Sequence, residues 1–328
     1  MIKKKDKILL SRDLGYNPYL PEDSEFFNIN KAELKINFKK YKSRPEFSII
    51  IPSFNKKDSL RFIMNNFFKQ SYPKSKYEII VIDDGSNDKT LESIEKIRPT
   101  CNFRYFYWPR KKIKIKKEYK KWAKFYNRTG PSRNIGINNA QGKIILFNDA
   151  DILVNKDCLK KHQVYHNKHN NIIVRGFQML LPKEFRTNLT KINDFKLLKR
   201  LSSLEKPDNK RKLYCRMYNL FEEGWHRVIT ANLSVRKKYL EKVNGFSRDF
   251  IFWGFEDVDL GYRLSRAFKL KFIWDDKIKV YHLYHSREAG NKTSDLLAFK
   301  IGANILYNKY KDKEIIRIFT DAIDRRFG

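Results

Sequence analysis

Cysteine is nearly missing from this 328-residue chain: Cys101, Cys158 and Cys215 lie far apart, with no paired spacing. That excludes a cysteine-based zinc site, argues against a disulfide framework and fits a reducing compartment. Long apolar runs are lacking as well. No stretch approaches the roughly 20 residues that span a bilayer. The basic start, Met1 to Lys7, is followed only by Ile8-Leu9-Leu10 before charge returns, too short a core for a signal peptide. These absences predict a soluble, cytoplasmic protein, with a peripheral contact at the inner face of the membrane left open. Acids are outnumbered, 37 Asp and Glu against 70 Lys and Arg, for a net charge of +33, and histidine is limited to six copies.

A hydrophobic fraction of 41% with 15% aromatics is that of a folded protein despite the charge. The basic excess either reflects a lysine-rich proteome or favours polyanions: nucleic acid, an anionic lipid surface, phosphate-rich ligands. One run concentrates it, from Arg110 through Lys121 and on to Trp122 and Lys124. It reads as a solvated basic face or as a tether for an anionic surface or substrate.

From Phe47 the chain alternates between strands and helices. Strands are expected at Phe47–Phe54, Tyr77–Asp84, Asn102–Trp108 and Lys143–Asn148. Helices are expected at Lys57–Lys69, Asp88–Ile97 and Gly130–Ala140. This rhythm predicts an α/β fold with a mixed, mainly parallel sheet flanked by helices, binding ligands beyond the strands' carboxyl ends. Later, helices are expected at Asn155–Asn167, Lys238–Val243 and Phe255–Phe268, and extended segments at Ile172–Leu181, Thr230–Arg236 and Lys271–Leu283. A polar insertion spans Leu189–Asn209, and helical spacing returns over Asp295–Phe327. There is no internal repeat.

Carboxylates gather at the ends of these elements. Asp83-Asp84 close one strand and are followed by Gly85-Ser86; the pair can accept hydrogen bonds from a base or ribose, or simply form an Asp-Gly turn. Asp149-Ala-Asp151 close another, and a carboxylate–x–carboxylate in extended backbone points both acids to one side, where they can bind Mg²⁺ or Mn²⁺ and bridge to phosphates. Arg133, in Gly130-Pro-Ser-Arg-Asn-Ile-Gly136, can fork a diphosphate or be a surface arginine on a helix's first turn. Glu256 and Asp257 follow Trp253-Gly254, suited to present a general base at a cleft mouth, or else sit as acids at the positive end of a helix. Asp259 has Arg263 four residues on as an ion-pair partner. Trp253 offers a flat face to a sugar, or is a core aromatic. His282 and His285 close the segment Tyr281-His-Leu-Tyr-His285, where an imidazole can complete a metal site with Asp151.

The order Ile51-Pro-Ser-Phe-Asn55, Ile82-Asp-Asp-Gly-Ser86, Arg133-Asn-Ile-Gly-Ile137, Asn148-Asp-Ala-Asp151 and Trp253-Gly-Phe-Glu-Asp257 resembles the family 2-type glycosyltransferases of the GT-A fold. The C-terminal half resembles the galactosyltransferase-type module of chondroitin polymerases, polypeptide N-acetylgalactosaminyltransferases and β-1,4-galactosyltransferases. The resemblance covers roughly residues 46–290. It implies a UDP-sugar donor substrate, Mn²⁺ or Mg²⁺ as cofactor, inversion at the anomeric carbon, and a glycan, lipid-linked or protein acceptor, with no nucleic-acid partner. By position, Asp83 would contact the nucleobase and Asp84 support it, with Pro52 and Trp253 also at the donor and Arg133 near the uracil or diphosphate. Asp149 would face the ribose or metal, and Asp151 would ligate the metal with His285, His282 being the rival. Asp257 would be the base and Glu256 would hydrogen-bond a sugar. Phe255 stands where the family often has a small residue.

The implied organisation is an N-terminal extension (1–45), a transferase domain (46–290, divided into a nucleotide-binding half at 46–151 and an acceptor-binding half at 152–290) and a C-terminal helical segment (291–328). Two rival readings stand beside it. A nucleotidyltransferase would share the sheet and the paired acids, and a non-catalytic basic protein binding nucleic acid or a surface would explain the charge.

Overall fold

The computed structural model describes residues 28–110, 127–180, 224–250, 254–283 and 292–319. The Leu189–Asn209 insertion, the basic run from 111 to 124, Trp253 and His285 lie outside the described residues.

Among the described residues nine strands form one sheet: β1 (Glu33–Phe38), β2 (Phe47–Ser53), β3 (Tyr77–Asp83), β4 (Asn102–Tyr107), β5 (Ile144–Asn148), β6 (Ile152–Val154), β7 (Ile172–Leu180), β8 (Asn232–Arg236) and β9 (Lys271–His282). Their order is β1-β4-β3-β2-β5-β8-β7-β9-β6. Strands β4, β3, β2 and β5 run parallel. Beyond β5 the direction reverses at β8, which pairs antiparallel with both β5 and β7. The parallel centre is written in runs such as Phe47-Ser-Ile-Ile-Ile and Tyr77-Glu-Ile-Ile-Val-Ile, apolar on both faces because helices cover both.

Alternation along these strands divides the core. Ile50, Ile80, Ile82 and Phe147 face one layer, built with helices α3 (Thr129–Asn139), α5 (Lys237–Lys242), α6 (Glu256–Phe268) and α7 (Lys292–Tyr310). Ile49, Ile51, Ile79, Val81 and Leu146 face the other, built with α1 (Lys57–Phe68), α2 (Thr90–Glu95) and α4 (Cys158–Lys168). Helix α1 buries Leu60, Ile63, Met64, Phe67 and Phe68, the three-and-four spacing of one helical face.

Besides the short β6, which is not among the expected strands, three elements differ from the sequence expectation. Residues 33–38, within the stretch read as an extension, form β1 and pair antiparallel with β4 at the sheet's edge. The helix expected over Asp88–Ile97 is confined to Thr90–Glu95. The Asp88 carboxylate accepts from the Lys57 amide at 3.0 Å, and Lys89 takes a left-handed conformation (φ 64°), so helical backbone cannot begin earlier. The C-terminal helical spacing is split: α7 ends at Tyr310, Lys311 is left-handed (φ 54°), and a second helix follows over 313–319. Among the described residues no helix is long and apolar enough to cross a membrane.

Candidate functional site

The carboxyl ends of β2, β3 and β5, the approach to β8, the end of β9 and the start of α6 meet at one end of the sheet. Asp83 closes β3 and Asp84 follows it, both buried. Asp83 accepts from the Tyr105 hydroxyl and, at 2.7 Å, from the Ser86 amide; burial raises its carboxyl above the ordinary range. Asp84 is held by Arg110 and by Arg128, whose Nε lies 2.6 Å away. Gly85 follows with φ +77°, and a Cβ there would stand 2.8 Å from the Arg110 amide nitrogen, so the turn needs glycine. Pro52 is half-buried on β2 beside Ile82, and the next loop carries Phe54, an exposed ring with the Arg110 guanidinium 3.7 Å from its centre.

Asp149 and Asp151 lie on the turn between β5 and β6. Three-residue β6 pairs antiparallel with the end of β9, and the Leu283 amide donates to the Asp151 carbonyl at 2.9 Å. This backbone ladder sets His282 Nε2 3.6 Å from Asp151 Oδ1. On the other carboxylate oxygen sits Lys56 Nζ, at 3.2 Å. Asp149 turns the other way, to Arg133 Nη2 at 3.0 Å. Among the described residues, no three His, Cys, Asp or Glu side chains gather as a metal site. The donor set still suits a hard cation. Mg²⁺-like ions are commonly held by one or two carboxylates with the remaining positions filled by phosphate oxygens and water, and the Lys56 ammonium marks the Asp151 carboxylate as a seat for positive charge.

The reading of Arg133 as a surface arginine is overturned. It is 3% exposed, because α3 packs its face against the sheet and α6. Its Nη1 lies 3.3 Å from both Glu256 Oε1 and Asp257 Oδ1, while Nη2 reaches Asp149. Burial opposes its charge, yet the carboxylates of Asp257, Asp149 and Glu256 hold its pKa above the ordinary value. One guanidinium therefore links the Asp149 turn to the start of α6.

Glu256 and Asp257 open α6, where the positive end of the helix favours acids. Asp257 is fixed by a residue the sequence did not single out. Thr230 donates its amide to Oδ2 at 3.0 Å and its hydroxyl to Oδ1 at 2.9 Å. Glu256 accepts from the Gly254 amide at 3.1 Å; burial and the adjacent Asp257 carboxylate push its carboxyl up to about 7. Asp259 does not join them. It accepts from Arg263, Lys309 and Tyr310, tying α6 to α7.

Sequence signals could have drawn attention to Phe54 and Lys56, which flank the loop after β2. Thr230 carried none, since its role depends on the sheet reversing at β8.

Comparison with known proteins follows the same lines. The family model described as glycosyl transferase family 2 matches residues 48–243, and one described as the N-terminal domain of galactosyltransferase matches residues 211–286. The poly(ribitol-phosphate) β-N-acetylglucosaminyltransferase TarS of Staphylococcus aureus is 28% identical over 159 residues, which is 45% of this chain and 25% of that protein. The chain thus spans only about a quarter of that relative's length. The crystal structure of S. aureus TarS with UDP-GlcNAc superposes with a TM-score of 0.55 at 18% identity, covering 86% of this chain and 72% of that one. The mannosyltransferase of Pyrobaculum calidifontis with GDP-Man and Mn²⁺ gives a TM-score of 0.53 at 13% identity, covering 90% and 79%. At those identities the likeness is one of fold, and the fold is GT-A.

Proposed function

The chain belongs to glycosyl transferase family 2, and from that premise we propose that it is a metal-dependent, inverting glycosyltransferase. In this reading it moves a hexose or N-acetylhexosamine from a UDP-sugar to a hydroxyl of a glycan, lipid-linked or protein acceptor. The observation that carries it is the Arg133 cluster, in which one buried guanidinium joins Asp149, on the nucleotide side, to Glu256 and Asp257, on the acceptor side.

Asp83, Asp84 and Pro52 border the nucleoside, with Phe54 offering its base a flat face. Asp151 would hold Mn²⁺ or Mg²⁺ beside Asp149 with His285 as the imidazole, or with its rival His282, whose Nε2 lies 3.6 Å from Asp151 Oδ1; a bound cation supplies neutralisation of the diphosphate's charge. Arg133 holds the acids of both sides in register. Asp257, its Oδ2 retaining a lone pair beyond the Thr230 amide bond, takes the proton from the acceptor hydroxyl as that oxygen attacks the anomeric carbon from the face opposite the diphosphate. Glu256 and Trp253 orient the sugars. Residues 46–290 form the transferase domain in this reading, with 46–151 serving the nucleotide and 152–290 the acceptor.

Net charge of +33 draws anionic partners to the surface, and the relative TarS is named for a poly(ribitol-phosphate) substrate. A phosphate-bearing glycan is accordingly the acceptor we favour, with contact to an anionic membrane surface as a companion feature.

The test is UDP release from a panel of UDP-sugars with Mn²⁺ or with EDTA, by wild type, Asp151→Ala and Asp257→Asn. Release from one sugar that needs the cation and is lost in both variants is the expected result. Silence across the panel, together with no cation-dependent UDP binding, overturns the reading.

A further inference from the structure

Two buried histidines stand outside the chemistry described so far. His162 and His166 lie one turn apart on α4, about 6 Å along the helix, and face Asn232 and Ser234, alternate residues of β8, about 6.8 Å apart along the strand. The near-match of spacings lets each ring meet the strand. His162 Nδ1 is 2.8 Å from Ser234 Oγ and its Nε2 is 3.0 Å from Asn232 Oδ1. His166 Nε2 is 2.8 Å from the same Ser234 Oγ. Asn232 Nδ2 donates to Asn148 Oδ1 at 3.1 Å, and Asn148 Nδ2 donates to the carbonyls of Asp149 and Ile152, both at 3.0 Å. Those carbonyls bracket the turn that carries Asp149 and Asp151, which the Ile152 amide also closes onto the Asp149 carbonyl at 3.1 Å.

Counting hydrogens fixes the direction of this chain. Asn148 must turn its NH₂ to the two carbonyls, which only accept, so its oxygen faces Asn232. Asn232 then spends its NH₂ there and offers its oxygen to His162, whose Nε2 must carry the hydrogen. Burial lowers both imidazoles, His162 to about 4 and His166 to about 3, so each is neutral and carries a single ring hydrogen. His162 Nδ1 is bare and accepts from the Ser234 hydroxyl, whose oxygen in turn accepts from His166 Nε2–H. His166 Nδ1 is left buried with no hydrogen-bond partner among the described residues. The opposite tautomer of His162 would flip both amides in sequence and set the Asn148 oxygen against two carbonyl oxygens.

We propose that His162, with Ser234 and Asn232, is a positioning residue for the Asp149–Asp151 turn: its Nε2–H tautomer holds Asn148 in the one orientation that clamps the turn. The relay touches neither substrate nor cation and acts through Asn148. Its functional weight rests on the transferase reading, because the turn is that reading's cation and diphosphate site.

The experiment uses the full chain as His162→Phe, which removes both links, His162→Gln, which keeps an N–H donor toward Asn232, and Ser234→Ala, a small deletion three links from Asn148. Amide hydrogen exchange is followed across residues 144–154, and Mn²⁺-dependent UDP binding is measured by calorimetry. Expected in Ser234→Ala and His162→Phe are exchange at residues 150–152 accelerated beyond the rest of the sheet and Mn²⁺-dependent UDP affinity roughly tenfold weaker, with both largely restored in His162→Gln. If His162→Phe fails to fold, Ser234→Ala decides alone. Exchange unchanged at the turn, or accelerated equally throughout the sheet, overturns the proposal. Selective exchange at the turn in a protein whose wild type neither binds UDP with Mn²⁺ nor releases UDP from any sugar of the panel upholds the relay and overturns the UDP-sugar transferase reading instead.

Discussion

Thr230 grips Asp257 with two donors, its amide to Oδ2 at 3.0 Å and its hydroxyl to Oδ1 at 2.9 Å, and is itself fully buried. The carboxylate has one orientation as a result, fixed from the strand side, while α6 carries its backbone. In the role proposed for Asp257, a general base gains from such fixing because reorganisation is done before the acceptor arrives.

Thr230→Val keeps shape and the amide bond but removes the hydroxyl. Hydrogen bonds to charged groups contribute about 1.5–3 kcal/mol, so kcat should fall by at least about tenfold with little change in the KM for the UDP-sugar. Thr230→Ser should recover most of the rate. Steady-state kinetics on the three proteins decides; a KM effect without a kcat effect would assign Thr230 to substrate binding.

Arg133 answers three carboxylates from a buried position, and removing it leaves them facing one another. Arg133→Met should destabilise the fold by about 3 kcal/mol, read as a lower urea midpoint. Arg133→Lys, a point charge without the fork, should fold better than the methionine variant yet remain poorly active, because a single ammonium cannot reach both sides of the site. Equal activity in lysine and wild type would show that charge alone is enough.

Glu256 gives a pH signature of stability. Its folded carboxyl titrates near 7, above the ordinary value of 4.5. The native state therefore binds more protons than the unfolded chain between those values, and stability falls as pH rises through that window. The burial cost is absent below about 4.5 and complete above about 7. Glu256→Gln should remove this contribution, on the order of 3 kcal/mol, and appear more stable than wild type at pH 8 but not at pH 4. Urea unfolding across pH 4–8 measures it; parallel curves for the two proteins would rule the effect out.

Gly302 on α7 lies under the ring that precedes Glu256 and Asp257. A Cβ there would stand 2.3 Å from Phe255 Cδ2. Gly302→Ala should cost about 1–3 kcal/mol through overpacking and reduce kcat by moving the start of α6. Adding Phe255→Leu should relieve the clash and return part of both losses; if the double variant is no better than the single, the contact does not transmit to the site.

Much of this was legible in the chain. Asp83-Asp84 and Asp149-Ala-Asp151 end apolar runs, so a parallel sheet had to bring them to one edge, and Arg263 four residues after Asp259 announced an ion pair. What escaped has physical causes. Strand β1 is exposed along most of its length and has no buried face to mark it. Strand β6 is three residues long. Arg133 is polar by composition; α3 packs it inside, and three acids from two distant segments converge on it there. His162 and His166 sit on a helix of weak amphipathicity, and their partners lie about seventy positions later. Of the six histidines, only the two in the Tyr281–His285 segment carried a local signal.

The pairing of β6 with the end of β9 has a consequence for how the protein comes into being. Asp151 leaves the ribosome more than a hundred residues before His282 and Leu283, the partners that fix it, and Gly302 and Lys309 follow later still. A nascent chain can assemble the parallel strands β2, β3, β4 and β5 well before this, yet its cleft stays half-built until nearly all of the described sequence has been made. Under the proposed reading, synthesis order then acts as a safeguard, since an unfinished polypeptide would not spend nucleotide-sugar before the acceptor side exists to receive it.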